Sequence, residues 1–98
     1  MRYLILLTIW ATLNTSAYCD KGITASGEYV HEGICAMDKL NGVIVPFGSK
    51  VHLPDGRVLV VKDRFGGNFN NHLDIWMPSE SACWEWGRQY LNCRIEVE

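Results

Sequence analysis

Apolar and polar residues alternate strictly at the end of the chain. Leu91, Cys93, Ile95 and Val97 fall on one side and Asn92, Arg94 and Glu96 on the other, which predicts a half-buried closing strand. "HLDIW" carries the same period, with Leu73 and Ile75 on one face and Asp74 and Trp76 on the other. Val58–Val61 is continuously apolar, as in a strand buried on both faces. Leu53-Pro54-Asp55-Gly56 is a turn signal, because proline presets φ and glycine accepts a positive one. It predicts a hairpin joining Lys50–Leu53 to Arg57–Asp63. Glycines at 22, 27, 33, 42, 48 and 56 punctuate the chain at all-β spacing.

The period changes after Met77-Pro78. Ser79 is suited to cap a helix, Glu80 to its positive end and Gly87 to its termination. Ala82, Cys83 and Trp86 share a helical face, which predicts a core role for Trp86. One short helix before the last of about six strands predicts an all-β fold, a small closed barrel, since closure removes exposed strand edges.

At 98 residues the chain is one domain. Met1-Arg2, the apolar run Tyr3–Leu13 and the small residues Thr15-Ser16-Ala17 resemble an export leader. The apolar run is also too short to span a bilayer. The expectation is a signal peptide at 1–17 and a domain at 18–98, secreted or periplasmic after signal-peptide cleavage and without stable membrane association. A hydrophobic first strand or helix of the fold is the alternative reading of the same run. Without Arg2, eight basic residues face eleven acidic ones, and no basic stripe with interleaved aromatics suggests nucleic acid as a partner. Cys19, Cys35, Cys83 and Cys93 all follow the expected cut. An even number in a small exported domain points to disulfides, and short loops favour Cys19–Cys35 and Cys83–Cys93; buried thiols are the alternative, above all for Cys83 and Cys93.

Of Asp38, Asp63 and Asp74, two end or interrupt apolar stretches, where carboxylates are disfavoured. A His72-x-Asp74 pair lacks a third ligand, so no metal and no other cofactor is expected. Together with "ITASG", "EGICAMD", "VIVPFGSKVHLP", "VVKD", "NNHLDIWMPS" and "ACWEWGRQYLNCRIEV", these aspartates resemble the three-aspartate (3D) domain. That domain occurs in small bacterial and phage cell-wall proteins and in the catalytic region of A-type membrane-bound lytic transglycosylases. The resemblance spans residues 23 to 97, including the eleven-residue step from Asp63 to Asp74. It departs at Asp63-Arg64-Phe65-Gly66, where many members read Asp-Thr-Gly-Gly.

The resemblance implies a six-stranded double-psi β-barrel acting on peptidoglycan glycan strands. It implies cleavage of the MurNAc-GlcNAc bond without water, giving 1,6-anhydromuramyl products. Asp74 would be the acid/base, with Asp38 and Asp63 lining the same groove. Thr24 and Lys50 match positions near that groove; an exposed strand lysine is the plainer reading of Lys50. Trp76 would stack on a sugar ring or pack beneath a loop. Two further readings stay open, a non-catalytic barrel that binds or loosens wall glycan, expansin-like, and a secreted interaction scaffold.

Overall fold

The computed structural model describes residues 7–98. Its elements are β1 (Leu7–Tyr18), β2 (Ile34–Met37), β3 (Lys39–Leu40), β4 (Val43–Ile44), β5 (Lys50–His52), β6 (Val58–Asp63), β7 (His72–Trp76), α1 (Glu80–Trp86) and β8 (Gln89–Val97). Six strands close a barrel in the order β1-β7-β2-β6-β5-β8, and β3 and β4 form a separate small hairpin. β1 runs parallel to β7 and β2 parallel to β6, and the other neighbours are antiparallel. Exchanging β1, β2 and β5 for β6, β7 and β8 leaves that order unchanged.

The period-two alternation decides what lies inside. Leu13, Cys35, Met37, Val51, Leu59, Val61, Leu73, Ile75, Cys93 and Ile95 fill the barrel, an apolar interior of the kind that dominates folding energy. The hairpin forms at the expected turn, where Gly56 has φ 95 and Leu53 N–H donates to Arg57 O at 2.9 Å. Val58 is exposed and Val60 half-buried, so β6 alternates and is not buried on both faces as its apolar run predicts. α1 has the expected ends, with Ser79 Oγ accepting from Ala82 N–H and Gly87 N–H donating to Cys83 O. Trp86 packs on the core and donates through Nε1 to Thr15 Oγ1 at 3.2 Å.

The segment expected as a leader, residues 1–17, overlaps the first strand. Residues 1–6, the first part of that segment, lie outside the described residues. Leu7–Ala17 belong to β1, which pairs antiparallel with β8 and parallel with β7 and so closes the barrel. Ile9, Ala11, Leu13 and Ala17 point into the core region, with Leu13 fully buried. The burial of "TIWATLNTSAY" follows the strand period of a barrel wall. Removing residues 1–17 would take out that wall.

Candidate functional site

Three strand pairings place the key residues in one lateral row. Ser16 lies opposite Asp74, Asp74 opposite Ala36, and Ala36 opposite Asp63. Asp74 and Asp63 are therefore two strands apart, about 10 Å at ordinary strand spacing, with only the small Ala36 between them. A bulge at Cys35/Ala36 shifts the register of β6 and swings Asp63 into the row. Asp38 follows β2, and its electrostatic reach extends to His72 on β7. The three aspartates thus gather on the outer face of the β7-β2-β6 wall.

Their environments differ. Asp38 is fully buried and accepts backbone N–H groups from Phe65, Gly67 and Phe69 at 2.7, 2.8 and 3.0 Å. Burial pushes its carboxyl up, but these amides and Gly66 outweigh it and hold the group below the usual value. Asp63 accepts Tyr18 O–H through Oδ2 at 3.0 Å, and Ala25 and Arg64 N–H through Oδ1, both at 2.9 Å. Asp38 thus organises the 64–70 loop, while Asp63 ties β6 to β1 and to the 22–30 loop.

Asp74 is different. It is 8% exposed, roofed on the outward face of a strand whose other face is the core. Its Oδ1 accepts Ser16 O–H at 3.0 Å. Its Oδ2 has no partner among the described residues and is not sealed from solvent. Burial, with Asp20 and Asp63 nearby, pushes the carboxyl from 3.8 up to about 6, against the opposing effects of the Ser16 hydrogen bond and Arg88.

His72 joins through Ser16, its Nε2 lying 3.1 Å from Ser16 Oγ. Because that hydroxyl donates to Asp74, Nε2 must carry the ring proton, giving the chain His72 N–H to Ser16 O–H to Asp74. The serine stands between histidine and aspartate, so this is not a nucleophilic triad, in which histidine is the middle member. Phe65 stacks on the His72 ring at 4.2 Å, and burial followed by Arg88 depresses the histidine's basicity. Arg64 donates to Met37 O at 2.8 Å and covers Phe47. Arg64 and Phe65 therefore pack the 64–70 loop against the barrel and over His72.

A cleft of about 500 Å³ opens between the end of β1 and α1, lined by Ser16, Tyr18, Asp20, Cys83, Trp84 and Arg88 among others. It meets the row of acids at Ser16. Among the described residues, no group of three or more His, Cys, Asp or Glu is placed to share a metal ion.

Several expected site residues lie elsewhere or do other work. Lys50 is exposed on β5, three strands around the barrel from β7, and so faces away from Asp74. Trp76 is 8% exposed, packs with Val30 and Ile34, donates to Asp20 O at 2.8 Å and is covered by Lys21; it is a packing residue and not an open sugar platform. Thr24 is buried and bonded to Ser26 Oγ at 2.9 Å. All four cysteines are thiols, so neither expected bridge is formed. Cys19 and Cys83 line the same cleft and interact with each other, whereas Cys35 has Cys93 as its neighbour. The short-loop argument fails because the barrel brings distant segments together.

Ser16, Tyr18, Asp20, Trp84 and Arg88 escape the sequence reading as site residues. Ser16 falls inside the expected leader, and Tyr18 is the first residue after it. Trp84 had a signal, an aromatic off the Ala82-Cys83-Trp86 face of the helix.

Comparison with protein-family models, with curated proteins and with solved structures finds no match to this chain.

Proposed function

We propose that this barrel is a peptidoglycan lytic transglycosylase in which Asp74 is the single acid/base. The observation that carries the reading is the contrast among the three aspartates. Asp38 and Asp63 spend both oxygens on hydrogen bonds to the protein, while Asp74 keeps one oxygen free and a raised pKa of about 6. At pH 7 roughly one Asp74 in ten then holds its proton, on the order of a hundredfold more than an ordinary aspartate.

One carboxyl is sufficient for the chemistry. Protonated Asp74 gives its hydrogen to the glycosidic oxygen as the bond to the muramyl anomeric carbon breaks. The muramyl 6-hydroxyl oxygen forms the new bond to that carbon, and its proton returns to the Asp74 carboxylate. No water is consumed, and the product is a 1,6-anhydro sugar. Ser16 holds Oδ1 and directs Oδ2 to the substrate; His72 in turn holds Ser16. A hydrolase would need a second free carboxylate about 5–9.5 Å away. Asp63 is unsuited to that role because Tyr18, Ala25 and Arg64 occupy it. Working on wall glycan places the protein outside the cytoplasmic membrane.

Mass spectrometry of a peptidoglycan digest tests the reading. The expected result is 1,6-anhydromuramyl ends, absent with a folded Asp74→Asn variant. Reducing ends made with water would instead indicate a hydrolase, with Asp20 at the cleft as the candidate base. Binding without any product would indicate the glycan-binding barrel.

A further inference from the structure

The cleft beside Asp74 contains two side chains that the acid/base scheme does not use. Trp84 is 84% exposed, the most exposed of the large apolar side chains among the described residues. Its helix neighbour Trp86 is half-buried against the core, so α1 packs one indole on the barrel and offers the other to the cleft.

Arg88 is the second. Arg57 pairs with Asp55, Arg94 with Glu96, and Arg64 with a backbone carbonyl. Arg88 has no hydrogen bond or ion pair among the described residues, although the chain is net acidic. Gly87, with φ 63, ends α1 and turns the chain back so that Arg88 lines the cleft. Its charge is felt by both Asp74 and His72. An unpaired guanidinium presents a planar fork suited to a carboxylate, and an open indole face suits the apolar face of a pyranose ring.

We infer that the β1–α1 cleft binds an anionic saccharide, with Trp84 stacking on a sugar ring and Arg88 pairing with a carboxylate borne by that sugar. This rests on the glycan reading above and narrows it to muramyl units, which carry a lactyl-linked carboxylate or stem peptide. Glu80 and Asp20, also in the cleft, supply acceptors for hydroxyl groups. The pairing has a consequence for the acid. Arg88 lowers the Asp74 carboxyl in the free protein. A ligand carboxylate that engages the guanidinium cancels that effect, so the bound protein holds the Asp74 proton to higher pH.

Binding of three probes to inactive Asp74→Asn protein tests the first part: N-acetylglucosamine tetramer, a GlcNAc-MurNAc disaccharide with its lactyl carboxylate free, and the same disaccharide with that carboxylate amidated. The acid form is expected to bind at least tenfold tighter than the amide. Adding Arg88→Gln should erase that preference and leave binding of the neutral tetramer unchanged. Adding Trp84→Ala should weaken all three about tenfold. Both side chains are exposed, and far-ultraviolet circular dichroism confirms that the variants fold. A preference that survives Arg88→Gln, or no preference at all, overturns the assignment while leaving the glycan reading intact. Failure of every sugar to bind overturns both. In the protein with Asp74 intact, the carboxylated probe should move the Asp74 titration upward and the neutral tetramer should not.

Discussion

The two walls of the barrel share one core and differ outside it. On the β6-β5-β8 side the outward positions meet water. His52 and Arg94 flank Glu96 there at 2.7 and 3.1 Å, and these contacts, His52 first, hold the Glu96 carboxyl below its usual value. On the β7-β2 side all residues of both strands are buried, and the Asp74 carboxyl rises to about 6. An outward-pointing acid on a strand is thus either a stable anion or a reservoir of protons. Cover raises the carboxyl only where donors do not offset it: Asp38 is covered more deeply than Asp74, and its backbone amides keep it low.

The largest expected effect removes the wall itself. A chain beginning at Tyr18 lacks β1 and leaves β7 and β8 unpaired on one side. It should show no native-like dispersion in amide NMR spectra, and a well-folded 18–98 fragment would show that β1 is dispensable.

Next comes Asp74→Asn, for which a loss of roughly 10²–10⁴ in rate is expected from the removal of a general acid. The same change should stabilise the protein. Folded Asp74 binds its proton up to about pH 6 and the unfolded chain only to 3.8. The folded state therefore holds the extra proton in that window, and stability falls as pH rises through it. Allowing for solvent screening, the variant should gain about 2 kcal/mol at pH 8 and nothing below pH 3.8. Urea unfolding at the two pH values reads the difference; equal stabilities at pH 8 would deny that the roofed wall penalises the anion.

Ser16→Ala is subtler. It removes the hydrogen bond that favours ionised Asp74, so activity should fall off at higher pH than in the parent. A fall at unchanged or lower pH would contradict the serine's role. Smallest of all is Lys50→Ala on the open wall, expected to change stability by no more than about 0.5 kcal/mol and to leave glycan cleavage unaltered. A large loss of cleavage would return Lys50 to the site.

What could be read from the chain divides along physical lines. Alternation in 72–76 and 91–97, the turn at 53–56 and the cap at Ser79 act over a few residues, and each formed where its signal stood. The row Ser16–Asp74–Ala36–Asp63 depends on registers among strands far apart in the chain, which no local pattern encodes. Trp76 illustrates the gap. Its face is legible from the period, but its cover depends on Lys21 and Val30 from the segment after β1 and on Ile34 of β2. In Thr8–Tyr18 burial follows a strand period, but apolar Trp10 points outward and polar Thr15 inward, so the local pattern is mixed.

The most direct measurement is a carbon-13 NMR titration of the aspartate side-chain carboxyls in the full chain. Asp74 should titrate near pH 6, while Asp38 titrates below the ordinary carboxylate range. An Asp74 midpoint at the ordinary value of 3.8 would mean that the covered wall does not retain its proton, contradicting the assignment of Asp74 as the acid.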